Sequence, residues 1–99
     1  MQEFFVRVRV NVDPSVDAAT RATLLSAERA RGEELVRSGN IRAIWRVPGT
    51  QGNVAIWAAE DATALHALLA SLPHFLYMDI EVMAIAEHPL APILTEVRK

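Results

Sequence analysis

The stretch IWRVPGTQGNVAIW, residues 44–57, consists of two apolar runs, each with a tryptophan, on either side of a loop that contains two glycines. Proline and glycine between two such runs are typical of a tight connection between antiparallel strands. A glycine-rich loop can also bind phosphate, but that loop needs a Gly-x-x-x-x-Gly-Lys pattern followed by a helix. Residues 48–52, PGTQG, have neither feature. They therefore predict a β-hairpin with its glycines at positive φ.

The chain on both sides of this hairpin carries further strand and helix patterns. Apolar residues at every second position predict strands, and apolar residues three or four positions apart predict helices. The predicted elements are a strand over 4–12, a helix over 17–38, strands over 41–47 and 53–59, a helix from its cap at Asp61 to just before Pro73, and a strand over 77–86. This βαββαβ order predicts an α+β, ferredoxin-like fold, in which a four-stranded antiparallel sheet carries two helices on one face.

The composition is that of one domain over residues 1–99, with residues 88–99 as a C-terminal tail. Hydrophobic residues make up 52% of the chain, and a net charge of −2 without a basic patch argues against a nucleic-acid partner. There is no cysteine, and the three histidines lack the short spacing of metal ligands, so no metal site is expected. No apolar run is long enough to span a membrane, and arginines interrupt the apolar N-terminus, so we expect a cytoplasmic protein.

The first predicted helix carries a carboxylate on its apolar side. At about 100° per residue, one arc of this helix contains four aliphatic residues and also Arg21, Glu28 and Gly32. The aliphatic members are Leu24, Leu25, Leu35 and Val36. A carboxylate that faces the core is costly unless it is paired or functional. Glu28 is therefore a general base, the partner of Arg21 in an ion pair at the helix edge, or a carboxylate that extends into solvent.

Other polar residues lie on the predicted hairpin strands. Arg42 and Arg46 share one face of the second strand, where they either face solvent or bind a substrate carboxylate. Asn53, at the start of the third strand, either completes the turn or binds a ligand carbonyl. Because the helices cover only one face of the sheet, the other face predicts a partner sheet and hence a homo-oligomer.

Three stretches together, IWRVPGTQGNVAIW, ALHALLASLPHFLYMDIEV and the following HP, resemble the muconolactone delta-isomerase family. In that family a Trp-Arg strand leads through a glycine turn to an asparagine, and an Ala-Leu-His helix leads to Leu-Pro and Tyr-Met-Asp-Ile-Glu-Val. The resemblance extends over nearly the whole chain and is strongest from 44 to 89. It implies that two sheets pair into a dimeric α/β barrel, with a dimer as the smallest assembly and rings of dimers up to a decamer.

The resemblance also implies a cofactor-free isomerisation of muconolactone, or of a related small unsaturated lactone or enone. A base removes the proton next to the lactone oxygen, and a proton returns two carbons away, which gives the 3-oxoadipate enol-lactone. The reaction needs a carboxylate base, a donor for the dienolate oxygen and a cation for the substrate carboxylate. The resemblance assigns catalysis to Glu28 and Asn53, and substrate binding to Arg42 and Arg46. We add Gln51, beside Asn53, and Trp45 as further candidates for substrate binding.

The chain departs from the family pattern at the expected mouth of the site. Gln51 replaces a hydroxyl, Ile41 replaces an aromatic residue, and the tail from Leu90 to Leu94 is apolar where a polar tail is common. These departures keep two alternatives open. One is an isomerase-like enzyme that tailors a bulkier secondary metabolite, and the other is a non-catalytic α/β-barrel binding module, which predicts no cavity behind Glu28.

Overall fold

A computed structural model describes residues 1–98 and has the predicted βαββαβ order. The elements are β1 (Gln2–Val10), α1 (Ala18–Arg37), β2 (Ile41–Arg46), β3 (Asn53–Ala59), α2 (Ala62–Ala70), β4 (Met78–Ile85) and α3 (Ala91–Val97), with a 3₁₀ helix at Phe75–Tyr77. The four strands form one antiparallel sheet in the order β2-β3-β1-β4. The predicted fold class is therefore confirmed.

Alternation along β1 places the core between the sheet and the helices. Phe4, Val6 and Val8 are buried, and their cross-strand neighbours on the same face include Trp57 and Ala55 of β3. The apolar stripe of α2 covers this face, because Leu65, Leu69 and Leu72 are buried and Leu68 packs against them. The alternation that predicted β1 thus also predicted which of its side chains are buried.

The sequence offers Ser15 or Asp17 as the cap of the first helix and Asp61 as the cap of the second, and the structure has Asp17 and Asp61 as the caps. Asp17 caps α1 by accepting a hydrogen bond from the Thr20 N–H at 2.7 Å, and Asp61 caps α2 by accepting one from the Ala64 N–H at 2.8 Å. Each carboxylate satisfies an N–H group that has no partner within the helix. Gly39, with φ of 82°, follows α1, so the chain turns into β2 where a side chain would be strained.

The apolar arc of α1 is narrower than the sequence predicted. Leu35 is buried and Leu24 is half-buried, but Leu25 and Val36 are 63% and 50% exposed. The prediction that all four aliphatic residues face the core is wrong for the latter two. The sheet covers the side of the arc that carries Leu24 and Leu35, and the side that carries Leu25 and Val36 faces the cavity or solvent.

The predicted tail contains a helix, α3. The two prolines of this segment favour a tail without regular structure, but Pro92 occupies the first turn of α3, where the missing N–H of proline costs no hydrogen bond. The apolar residues of this segment remain exposed in the single chain: Leu90, Ile93, Leu94 and Val97. Within residues 1–98, no helix is both long and apolar enough to cross a membrane.

The sheet face away from the helices is open and mixes apolar with charged residues. Cross-strand pairs on this face include Phe5 with Ile56 and Phe5 with Met83. Arg7 and Glu81 are cross-strand neighbours, so this face carries charges of both signs. This face could cover a second sheet with both apolar and charged contacts.

Candidate active site

A cavity of about 440 Å³ lies between α1 and the helix-covered face of the sheet. Its volume falls within the range of small-molecule sites. Apolar side chains such as Val10, Leu25 and Met78 form part of its wall. The polar lining residues are Arg21, Glu28, Arg46, Gln51, Asn53 and His74. Four of the six residues that the sequence assigned to the site are therefore together at one cavity.

Glu28 is held in the wall of this cavity by the segment that follows α2. Its side chain is 20% exposed, and its Oε1 atom accepts a hydrogen bond from the backbone N–H of His74 at 2.9 Å. The Nδ1 atom of the His74 ring lies 3.8 Å from the same oxygen. The carboxylate is thus partly buried, hydrogen-bonded and open to the cavity.

Arg21 does not form the predicted alternative ion pair with Glu28. Its Nε donates to the Val16 carbonyl oxygen at 2.9 Å, and its Nη2 donates to the carbonyl oxygens of Val12 and Asp13 at 3.2 and 2.8 Å. The guanidinium therefore fastens the β1–α1 connection to α1 at the cavity wall. The ion-pair interpretation of Glu28 is wrong, because these backbone carbonyls engage Arg21 instead.

The hairpin between β2 and β3 brings three predicted residues to the cavity mouth. Arg46 and Asn53 are cross-strand partners in the register of the two strands. The Nη1 atom of Arg46 donates to the Gln51 carbonyl oxygen at 2.6 Å, which holds the guanidinium across the loop. The side-chain amides of Asn53 and Gln51 form no hydrogen bond with any residue in the range 1–98, so both can bind a ligand oxygen.

The structure does not bring Arg42 and Trp45 to this cavity. A shift in the β2–β3 register between Ile41 and Ala43 takes Arg42 out of line with Arg46, and its Nη1 donates to Glu3 Oε2 at 3.0 Å. Trp45 is 56% exposed and lies on the opposite sheet face from its neighbour Arg46, because side chains alternate along a strand. Their roles in substrate binding stay predictions.

The two glycines of the hairpin occupy backbone positions where a side chain would be strained or would clash. Gly49 has φ of 79°, as predicted. Gly52 does not have positive φ, so that part of the prediction is wrong. A Cβ atom on Gly52 would lie 2.6 Å from the Val8 carbonyl oxygen, and this close approach of β1 explains the glycine. Thr50 Oγ1 accepts a hydrogen bond from the Gly52 N–H at 3.0 Å, which fixes the turn.

His74 is the member of the site that sequence reasoning missed. The sequence placed it in a loop after Pro73, without a periodic pattern or a motif to connect it with Glu28. Its contact with Glu28 uses a backbone N–H, which every residue except proline carries, and therefore leaves no signature in the sequence. The only related signal in the sequence is the position of His74 between apolar residues, Leu72 and Phe75.

Comparisons with known proteins identify relatives of this chain over most of its length. The family model described as muconolactone delta-isomerase matches residues 2–91. The Muconolactone Delta-isomerase of Rhodococcus opacus is 39% identical over 88 residues, which cover 89% of this chain and 95% of that protein. The Acinetobacter baylyi protein of the same name is 40% identical over 86 residues, covering 87% and 90% of the two chains. A crystal structure of muconolactone isomerase superimposes with a TM-score of 0.82 at 34% identity, covering 88% of this chain and 91% of the other. This chain belongs to the muconolactone delta-isomerase family.

Proposed function

We propose that this chain converts muconolactone to the 3-oxoadipate enol-lactone without a cofactor, with Glu28 as the general base. The observation that carries the proposal is a half-buried carboxylate that a backbone N–H holds in the wall of a substrate-sized cavity. The names of the relatives supply the substrate class and the bond that moves. Together they favour an isomerase that shifts a C=C bond in a small unsaturated lactone.

The reaction is a proton shift across an allylic system. Glu28 accepts the proton from the ring carbon next to the lactone oxygen, and the electron pair delocalises through the C=C bond onto the carbonyl oxygen as a dienolate. A proton then returns to the carbon two positions away, and the C=C bond is left between the other pair of carbons. For this transfer the carboxylate base must lie within hydrogen-bond reach of the substrate carbon. The position of Glu28 in the cavity wall allows this.

Asn53 is the proposed donor to the dienolate oxygen, with Gln51 beside it. Charge on that oxygen develops only as the proton leaves, so a donor already fixed at the site stabilises the transition state more than the substrate. Asn53 lies at the first position of β3, within a hydrogen-bonded sheet, and this gives its side chain a rigid base. Gln51 lies in the loop and supplies an amide where the family resemblance implies a hydroxyl.

Arg46 is the proposed partner of the substrate carboxylate. The cavity is lined by two guanidinium groups, on Arg21 and Arg46, against one carboxylate on Glu28, so its charge favours an anionic ligand. Arg46 is anchored by Nη1 to the hairpin backbone, which leaves its other nitrogens for a ligand. Arg42, the other candidate, is engaged by Glu3 on the far side of the sheet.

The alternatives are less well supported. A non-catalytic module predicts Glu28 exposed or bound to Arg21 with no cavity behind it, whereas Glu28 lines a cavity and Arg21 binds backbone carbonyls. The alternative of an enzyme that tailors a bulkier metabolite depends on the departures from the family pattern at the mouth of the site. The relatives that match most of the chain are named for the lactone reaction instead.

We also propose that the open sheet faces of two chains pair into a dimeric barrel, from which larger rings of up to ten chains assemble. Phe5, Trp45, Ile56 and Met83 form an apolar surface on this face, larger than single exposed residues would explain. Arg7 and Glu81 add charges of both signs, which suits a self-complementary interface about a twofold axis.

The decisive experiment follows muconolactone and a panel of other butenolides by NMR in D₂O with the purified protein. We expect rapid isomerisation of muconolactone with deuterium incorporation at the carbon that receives the proton. The variant Glu28→Gln keeps the shape of the side chain but removes the base, and should lower kcat by about 10²- to 10⁴-fold while the oligomer stays intact. Wild-type rates in this variant would exclude Glu28 as the base, and turnover confined to bulkier butenolides would favour the tailoring alternative.

A further inference from the structure

His74 is the most enclosed polar side chain at the cavity. It is 7% exposed, although it follows a proline in the connection between α2 and β4. A short turn fixes its backbone, because its carbonyl oxygen accepts a hydrogen bond from the Tyr77 N–H at 2.8 Å. An imidazole that lies this deep beside a carboxylate needs an explanation beyond packing.

Two polar groups of His74, its backbone N–H and its ring Nδ1, lie near the same oxygen of Glu28. The backbone N–H is hydrogen-bonded to Oε1 at 2.9 Å, and the ring Nδ1 lies 3.8 Å from Oε1. No donor within residues 1–98 is hydrogen-bonded to Oε2. The two carboxylate oxygens are therefore in different environments, one held by the protein and one free to accept a proton.

Neighbouring cations do not compete for Oε1. Arg21 is engaged by three backbone carbonyls of the β1–α1 connection, and Arg46 is anchored to the hairpin. Arg31, one turn beyond Glu28, donates from Nε to Ser71 Oγ at 3.0 Å and pairs with Glu34. His74 is thus the group that faces the held oxygen.

We propose that His74 is a positioning residue for Glu28, an inference that rests on the proposed function. Its backbone N–H and the Nδ1 edge of its ring hold Oε1, so that Oε2 is presented to the substrate as the base. The 3.8 Å separation is longer than a hydrogen bond. Catalytic hydrogen bonds are often long without substrate and tighten in the complex, and we expect the ring to approach Oε1 in that way when substrate binds. Its role is to fix the direction of the carboxylate rather than to carry the proton.

Three substitutions at position 74 separate this role from packing, since all three keep the backbone N–H. His74→Asn retains an N–H donor near the position of Nδ1, His74→Gln places its amide near Nε2 instead, and His74→Leu fills a similar volume without polar atoms. We expect kcat on muconolactone to fall about tenfold in His74→Leu and His74→Gln, with KM within about twofold of wild type. His74→Asn should retain kcat within about threefold of wild type.

Steady-state kinetics with denaturation curves on the same preparations test these expectations. Wild-type kcat in His74→Leu, or equal losses in all three variants that follow their loss of stability, would overturn the positioning role. Glu28→Gln is measured in parallel and separates the two proposals. If Glu28→Gln is inactive and His74→Leu is unchanged, only the positioning role fails, whereas an active Glu28→Gln variant removes the base itself.

Discussion

Arg46 and Arg42 are four residues apart on one strand, yet only Arg46 lines the cavity. Replacement of Arg46 by Gln removes the charge but keeps a hydrogen-bonding side chain. Because a charge-assisted pair is made in both the substrate complex and the transition state, we expect KM for muconolactone to rise at least about tenfold with a smaller change in kcat. The matched control is Arg37→Gln on α1, whose side chain is 77% exposed and pairs with Glu33 at the surface. An unchanged KM in Arg46→Gln would mean that a residue other than Arg46 binds the substrate carboxylate.

Single residues also mark where sequence reasoning succeeds. Glu28 could be singled out because helical periodicity reports which side of α1 a residue occupies, and the buried Leu35 lies on the same side. The orientation of Glu28 could not be predicted, since it depends on the N–H of His74, 46 positions away. Arg21 was placed on the correct side, but the backbone carbonyls that bind it depend on the path of the β1–α1 connection.

At the scale of elements, the β2–β3 hairpin depends on the contact between Gly52 and β1. Gly52→Ala would place a methyl group 2.6 Å from the Val8 carbonyl oxygen, and backbone atoms must shift to relieve it. We expect the free energy of unfolding, measured by urea denaturation, to fall by about 1–3 kcal/mol. Activity should fall as well, because the loop carries Gln51 and Asn53.

The control for this substitution adds the same methyl group where space is open. A Cβ on Gly32, inside α1, meets no atom within 4 Å, so Gly32→Ala should raise the free energy of unfolding by about 0.5–1 kcal/mol through helix propensity. Equal stability of the Gly52→Ala variant and wild type would mean that β1 and the hairpin separate easily, and that the close approach does not constrain the loop.

Local sequence patterns predicted the strands and helices better than they predicted irregularities within them. Alternation and caps gave β3 its observed bounds, and gave α1 and α2 their observed N-termini. The irregularity between Ile41 and Ala43 was not predictable, because a bulge depends on how two strands pair rather than on either sequence alone. That irregularity separates Arg42 from Arg46. Helix α3 was missed because proline stops a helix in its interior but suits its first turn.

At the scale of the whole molecule, the two faces of the sheet differ in what they contact. The helix-covered face supplies the core and the cavity, whereas the open face leaves Trp45 and Met83 more than half exposed. One chain of this length buries a limited share of its surface, so pairing of the open faces would add the apolar burial that the single chain lacks. The uncovered face and the family resemblance both predict such an assembly from the sequence, and it stays a prediction.

Trp45 tests whether that face is the dimer interface. A glutamate in place of Trp45 would bury a charge between two sheets and remove a large aromatic contact, so we expect the dimer dissociation constant to rise at least about thirtyfold. Sedimentation velocity over a range of concentrations measures the change. The matched control is Leu76→Glu, which replaces an apolar residue that is 87% exposed on the 3₁₀ helix, outside the open face. An intact oligomer in Trp45→Glu would place the interface elsewhere. If the oligomer stayed intact and KM for muconolactone rose, the result would support the substrate-binding role predicted for Trp45.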